Sequence, residues 1–253
     1  MPFIIYNTFK KIGVTRFVNQ YRSIMRSIVL CFIAFISCQY VIGQEITLTT
    51  VDSLYKEDQF YIGITYNVLG NMPQGMSQNG FSSGFHLGYI KDIPINKNRN
   101  IALGLGLGYS ANSFNQDLLI TKKSQGSHTY VLLSRSEFTK NKFSRHLIEI
   151  PFEFRWRTST PETYKFWRVY TGFKLGYLFA STTKFASTSQ NIKQKDITDF
   201  ETIQYGLTLS VGYNTWNAYL YYGLNPLFKK EAVLDGESID LKAIKVGIMF
   251  YLL

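Results

Sequence analysis

The sequence predicts an all-β fold, an eight-stranded antiparallel up-and-down transmembrane β-barrel with a filled polar lumen. The clearest observation is residues 101–109, IALGLGLGY, where large apolar side chains alternate with alanine and glycine. Successive side chains of a strand face opposite sides, so this stretch has one apolar face and one nearly bare face. A helix would mix the two sets, and each glycine inside it would cost about 1 kcal/mol. A continuous apolar face ending in an aromatic residue is typical of a strand that faces lipid.

Composition is the second observation. The chain of 253 residues is 45% hydrophobic and 16% aromatic but only 17% charged, with a mean hydropathy of -0.05. Soluble domains average about 25% charged residues. A helical membrane protein needs apolar runs of about 20 residues, and none follows the N-terminal segment. Alternating apolar and polar residues average out to such a composition in a membrane barrel.

Residues 1–43 are predicted to be a signal peptide, because basic residues precede a short apolar run and Gly43 suits the position before a cleavage site. Met25 is an alternative initiator, and Cys38 is an alternative site of lipidation. Cys31 and Cys38 are the two cysteines of the chain. Cleavage would therefore leave a mature protein with no disulfide, thiolate ligand or cysteine nucleophile.

The basic balance does not indicate nucleic acid. Much of the formal net charge of +10 lies in the predicted signal peptide, at Lys10, Lys11, Arg16, Arg22 and Arg26. The remaining excess is spread over predicted loops and turns, without a basic stripe or a known binding module. Nucleic-acid binding is therefore not expected.

A polar lead-in at 44–58 is predicted to be periplasmic, and residues 59–253 are predicted to form the barrel. The predicted strands are 60–68, 81–89, 101–109, 146–157, 167–179, 203–213, 216–225 and 239–253. Their connections alternate between long (70–79, 111–143, 181–199, 226–237) and short (92–99, 158–164, 214–215). This alternation is typical of an outer-membrane barrel with periplasmic termini and extracellular long loops.

The alternative fold is a soluble lipocalin-like barrel or sandwich, in which the apolar parity would face inward. The glycine-rich parity of 101–109 would then face water, leaving bare backbone and little solubilising charge. The membrane barrel is favoured for this reason.

Eight strands enclose an interior just wide enough for side chains. The inward parity carries charges, which are costly to bury unless they are paired. The sequence therefore predicts that Glu149 and Glu153 pair with Arg155, Arg168, Lys174 or Lys245, and that the bare face of 101–109 makes room for these charged side chains. The predicted structural cluster of the lumen comprises His86, Glu149, Glu153, Arg155, Arg168, Lys174 and Lys245.

Other interpretations of the same residues are a gated ion path and an acid/base dyad of Glu149 and Glu153. The dyad would lack substrate access. A histidine-based catalytic site would need an orienting carboxylate, which the sequence does not place beside His128, and His146 falls on the lipid-facing parity. No catalytic, cofactor-binding or metal site is predicted, and the protein is expected to be non-enzymatic.

Four segments carry a family resemblance: FHLGY at 85–89, GLGLGY at 104–109, LIEIPFE at 147–153 and GFKLGY at 172–177. They resemble the PorT family of Bacteroidetes outer-membrane proteins, within the wider group of small outer membrane protein beta-barrel domains. LIEIP is the most specific of them.

The resemblance implies a component or assembly factor of type IX protein secretion and gliding, with other secretion proteins as partners and no catalytic residues. Outer-membrane lipid and lipopolysaccharide are further expected partners. The basic loop 111–143 either contacts lipopolysaccharide phosphates or, as the favoured alternative, is simply solvated. The alternative is a generic small barrel with a structural, ligand-binding or narrow-channel role.

Overall fold

The structure, a computed structural model, describes residues 58–122, 128–158 and 166–252. The predicted signal peptide and nearly all of the predicted lead-in lie outside these residues. Among the described residues, no helix has the length and apolar character needed to cross a membrane.

The described chain is built almost entirely of strands. A single 3-10 turn, Arg135–Glu137, lies in the connection that follows β5. The strands are β1 Gln59–Gly70, β2 Ser83–Pro94, β3 Ile101–Asn115, β4 Leu118–Lys122, β5 His128–Leu132, β6 Lys140–Arg157, β7 Trp167–Ala186, β8 Asn191–Lys195, β9 Ile203–Tyr213, β10 Trp216–Gly223, β11 Val233–Leu234, β12 Glu237–Ser238 and β13 Lys242–Leu252.

Eight of these strands close into an antiparallel barrel, in the order β6-β3-β2-β1-β13-β10-β9-β7, and β6 pairs again with β7. The first and last strands pair along nearly their whole lengths, from Phe60 opposite Leu252 to Gly70 opposite Lys242. Closure leaves no free edge in the barrel wall. The predicted fold class is therefore confirmed.

Burial alternates along every barrel strand, and the apolar parity faces outward. In β9 each odd-numbered residue from Ile203 to Tyr213 is exposed and each even-numbered residue is buried. Leu107 of β3 and Trp216 of β10 keep 61% and 63% of their surface exposed. An apolar exterior around a polar interior is the arrangement that hydrocarbon requires. The soluble alternative is wrong, because it would place this parity inside.

The strands at the long-loop end are longer than the sequence predicts. β3 continues to Asn115, β6 begins at Lys140 and β7 continues to Ala186, so parts of the predicted loops 111–143 and 181–199 are strand. β4, β5, β8 and β11 also lie inside predicted loops, and β12 begins at the end of one. The extensions of β3, β6 and β7 carry polar side chains or alanine on their outer face, so the large apolar residues that mark the membrane strands are missing from them.

Candidate functional site

The centre of the lumen is organised around Glu149 of β6. Its carboxylate lies 3.0 Å from Lys174 Nζ, 3.8 Å from Lys245 Nζ and 3.7 Å from His86 Nδ1. The hydroxyl of Ser110 donates a hydrogen bond of 2.7 Å to its Oε1. These five side chains come from β2, β3, β6, β7 and β13 and are all buried. The barrel therefore brings four members of the predicted cluster together, with the Glu149 carboxylate at their centre.

Nearer the short-turn end, Arg155 joins two carboxylates. Its Nε lies 3.1 Å from Glu153 Oε2, and its Nη1 lies 3.1 Å from Asp92 Oδ1. Arg157 donates two hydrogen bonds of 2.8 Å to the same aspartate. Paired bonds between a guanidinium and a carboxylate fix orientation as well as charge. Glu153 and Arg155 thus form a second cluster with Asp92 and Arg157.

Asp92, Arg157 and Arg145 are buried interior residues that the predicted cluster omits. The sequence predicts a turn at Asp92 because Pro94 follows closely, but β2 continues through Pro94, where the end of the strand tolerates a proline. Arg145 lies between the predicted loop 111–143 and the predicted strand 146–157. The inward parity of the predicted strand 146–157 already includes Arg157, and continuing it toward the N-terminus reaches Arg145. Parity along β6 is therefore the signal that could have found both arginines.

Arg168 is the predicted member that the structure places differently. Its guanidinium lies 4.5 Å from the ring centroid of Phe166 and also faces the rings of Tyr170 and Tyr251, whereas its Nε and Nη1 have no hydrogen-bond partner in the described structure. The expectation that it pairs with Glu149 or Glu153 is therefore not met. The negative face of an aromatic ring attracts a guanidinium, so these rings supply part of the electrostatic stabilisation that a carboxylate would give.

Other interior cations also contact aromatic ring faces or backbone carbonyl oxygens. Arg155 lies over Tyr170 at 4.5 Å and Lys245 over Tyr221 at 4.6 Å. Arg145 donates from Nη2 to the carbonyl oxygen of Glu201 at 2.8 Å. The buried cations of the described lumen outnumber its buried carboxylates, and these contacts offset the difference.

The packed lumen leaves almost no free space. The cavity beside Glu149 and Lys174 has a volume of about 10 Å³, which is the space of about one water molecule. A continuous water-filled path would need far more, so this geometry does not support the gated ion path. Glu149 lines this cavity and Glu153 does not, so the geometry does not support an acid/base dyad of the two carboxylates.

The long-loop end is closed by an aromatic cluster of Phe114, Phe143, Phe200 and Phe228. Their successive ring centroids lie 5.0 Å (Phe114–Phe143), 5.3 Å (Phe143–Phe200) and 4.7 Å (Phe200–Phe228) apart. All four side chains are buried. Because these rings come from β3, β6 and two different loops, the cluster ties the loops to the barrel rim.

Asp199 fastens the hairpin of β4 and β5 to this cluster. Its Oδ1 lies 2.9 Å from His128 Nδ1, and its Oδ2 accepts a hydrogen bond of 2.6 Å from Tyr130. Burial alone would raise the pKa of the Asp199 carboxyl, but the Tyr130 hydrogen bond and His128 outweigh burial and hold the pKa below its ordinary value. His128 therefore does have a carboxylate partner, which the sequence did not reveal because Asp199 lies in another loop.

His146 lies on the outer face, as its parity predicts. Its Nδ1 lies 2.7 Å from the Tyr109 hydroxyl, and its ring stacks on Tyr109 and touches Phe179. These three side chains mark the long-loop end of the apolar belt.

A closed barrel with an apolar exterior and a packed polar interior defines an integral membrane β-barrel protein. The chain belongs to the outer membrane protein beta-barrel domain family, whose model matches residues 45–229. No curated protein sequence matches it. Among solved structures it is similar to Ail, the attachment invasion locus protein of Yersinia pestis, with 13% identity over 79% of this chain and 100% of that chain and a TM-score of 0.35.

A complex of Ail with the heparin analogue sucrose octasulfate has 16% identity, the same coverage and a TM-score of 0.37. A structure described for the asymmetric conductivity of engineered proteins has 8% identity over 78% of this chain and 100% of that chain, with a TM-score of 0.21.

Proposed function

We propose that this protein is a non-enzymatic outer-membrane barrel that works by contact through its outer surface and its long-loop end, and does not work by conduction. The observation that carries the proposal is the filled lumen, whose central cavity of about 10 Å³ has room for a single water molecule. The loop end supports it, because the aromatic cluster and Asp199 join loops and the hairpin of β4 and β5 to the barrel rim. A packed surface of this kind suits binding to a partner.

Conductance across a planar lipid bilayer tests this proposal. The folded protein is expected to give no stepwise conductance at neutral pH, because water cannot form a continuous column through the lumen. A known open porin, inserted under the same conditions, is the positive control. Regular conductance steps from this protein would support the narrow-channel alternative instead.

The more specific proposal is a role in type IX secretion as a partner or assembly factor. It is supported by the resemblance of LIEIP and the glycine-tyrosine strand ends to the PorT family. In the barrel, Pro151 of LIEIP packs toward Gly106 of β3, where an added Cβ would lie 3.0 Å from the proline ring. This segment is therefore part of the wall, and partner contacts would fall to the loops.

Deletion of the gene, with secretion of type IX cargo into the medium as the readout, tests the specific role. Loss of cargo secretion is expected, and the intact gene supplied in trans should restore it. A second complementing gene that lacks the hairpin 118–132 but still folds should fail to restore it. Normal secretion by the deletion strain would leave the generic barrel as the function.

The proposed orientation places both chain ends and the short connections in the periplasm and the long loops outside the cell. It follows from the predicted signal peptide and from the grouping of long connections at one end of the barrel. A reagent that labels cysteine only from outside the cell tests it, as described in the Discussion.

A further inference from the structure

Beyond the apolar belt, β6, β7 and β8 continue as a sheet whose outer face is basic. Lys142 lies directly opposite Lys184 across β6 and β7, and Lys184 lies directly opposite Lys193 across β7 and β8. These three residues are called the lysine row. Paired residues of antiparallel strands place their side chains on one face, about 5 Å apart. Like charges in that position destabilise a sheet, so the lysine row lowers the stability of this sheet when no anion is bound.

The surrounding face offers the row no carboxylate. The neighbouring outward positions of the same segments are Lys140, Ser144, Thr182, Ala186, Asn191 and Lys195. Within the described part of the chain, no ion pair involves Lys142, Lys184 or Lys193. The charge of the row is therefore not neutralised by the described protein.

Lysines can protect the edge of a sheet from pairing with other chains, but this explains only one lysine of the row. Lysines on edge strands discourage pairing with other chains, and β8 pairs with β7 alone among the described strands. That reason applies to Lys193. It does not apply to Lys142, which is paired with Asn115 and Lys184, nor to Lys184, which is paired on both sides.

The height of the row points to the membrane surface. His146 marks the end of the apolar belt, and Lys142 lies on the same face of β6, a distance of about 14 Å along the strand at ~3.4 Å per residue. A strand tilt of about 40° reduces this to roughly 10 Å along the membrane normal. Headgroups begin where the hydrocarbon ends, so long lysine side chains at this height can reach them.

A cavity next to the row has the mixed lining that an amphiphile needs. Its volume is about 350 Å³, and it is lined by Lys140, Lys142 and Arg135 together with the rings of Phe81 and Phe138. Phe81 keeps 69% of its surface exposed. Cationic side chains and aromatic residues that line one cavity match a molecule with a charged headgroup and apolar chains.

We propose that the lysine row, with the adjoining cavity, binds the phosphate groups of a phosphorylated glycolipid of the outer leaflet. The proposal rests on the orientation given under the proposed function, because only that orientation places the row in the outer leaflet. Lipid phosphates supply the negative charge that the sheet lacks, and each lysine near an anionic membrane surface contributes measurably to binding.

Titration of the purified protein in a neutral detergent with fluorescent diphosphorylated lipid A tests the proposal. The double variant Lys142→Gln/Lys184→Gln removes the two row lysines that edge protection does not explain. Its affinity is expected to fall about tenfold or more, given the contribution of each lysine. The control variant Lys97→Gln/Lys230→Gln removes the same charge elsewhere and should change affinity less than about twofold.

Dephosphorylated lipid A and inorganic phosphate complete the experiment. Weak binding of the dephosphorylated lipid and no competition by millimolar phosphate are expected. Equal affinity of the two double variants, or of the two lipids, would overturn the proposal, and efficient competition by inorganic phosphate would assign the site to a soluble anion instead. The orientation is measured separately on whole cells, so its failure is distinguishable from failure of lipid binding.

Discussion

The hydroxyl of Tyr61 on β1 lies against the backbone of Gly108 on β3, where a Cβ would overlap it. β2 separates these two strands, and at Gly88 of β2 a Cβ would lie 2.6 Å from the same hydroxyl. The tyrosine ring therefore lies across the inner face of β2 and ends on the bare face of β3. Two glycines on neighbouring strands form the surface that holds this ring.

Gly108→Ala is predicted to destabilise the barrel by about 1–3 kcal/mol, the usual cost of overpacking. Tyr61→Phe in the same chain should recover part of the loss by removing the overlapping hydroxyl. Gly70→Ala is the control, since its Cβ would meet Ile244 Cδ1 at an ordinary 3.4 Å. Urea unfolding in detergent micelles measures all three, and equal stability of the Gly108 and Gly70 variants would contradict the packing argument.

The glycine face shows what the sequence could predict and what it could not. Alternation in 101–109 predicted correctly which parity faces lipid and which faces the lumen. It also predicts that charged side chains fill the bare face, and Gly104 and Gly108 do lie opposite Glu153 and Glu149 of β6. An added Cβ at Gly104 would lie 2.8 Å from Arg155 Nε, whereas the nearest atom to an added Cβ at Gly108 is the Tyr61 hydroxyl. Gly106 faces Ile90 and Pro151. Parity fixes the face of each residue, whereas the partner depends on strand stagger, which one sequence does not specify.

In the candidate site, too, the sequence predicts which face a residue occupies but not its partner. The seven predicted lumen residues are all buried, because each lies on an inward parity that apolar neighbours make visible. Asp92 and Arg145 were missed because they lie where the outward neighbours become polar or a proline follows. The pairing of His128 with Asp199 could not be predicted, since it joins two loops with no periodic pattern.

Glu149→Gln is predicted to lower stability by about 3–5 kcal/mol, because it leaves Lys174 and Lys245 buried without a shared counter-charge. Glu153→Gln should cost less, because Arg155 keeps Asp92 as a partner. Thermal unfolding followed by the shift in gel migration between folded and unfolded forms measures both. An unchanged transition for Glu149→Gln would refute a stabilising role for the lumen cluster.

Asp199 is predicted to make loop stability depend on pH. Because the folded pKa lies below the ordinary 3.8, the ionised carboxylate stabilises the loops above that value, and the contribution is lost as the pH falls through the folded pKa. Asp199→Asn should therefore loosen the pairing of β4 with β5 at neutral pH. Trypsin cleavage there should be about fivefold faster, as expected for a lost hydrogen bond of about 1 kcal/mol.

Asp235→Asn, in the exposed turn between β11 and β12, is the matched control for the Asp199 variant and should leave cleavage unchanged. Hydrogen exchange of β5 amides between pH 3 and pH 6 gives the second measurement. The wild-type chain should lose protection at the acidic end, and the Asp199→Asn chain should show a flatter profile. Parallel profiles for the two chains would exclude Asp199 as the titrating group.

Surface labelling of whole cells is predicted to distinguish the two ends of the barrel. The barrel residues contain no cysteine, so Ser189→Cys, between β7 and β8, and Asn98→Cys, between β2 and β3, can be compared directly. A maleimide that cannot cross the membrane should label Ser189→Cys on intact cells and Asn98→Cys only after the outer membrane is opened. The reverse pattern would invert the proposed orientation.

The pairing of β1 with β13 sets an order for folding. Phe60 meets Leu252, so the first strand of the barrel has no partner on one edge until the last strand has been synthesised and inserted. Until then the chain carries two open edges, which are templates for pairing with other chains. Contacts between such distant segments also form slowly. This topology therefore requires that the β1 edge be shielded until the barrel closes. A chain truncated before β13 would keep that edge permanently open.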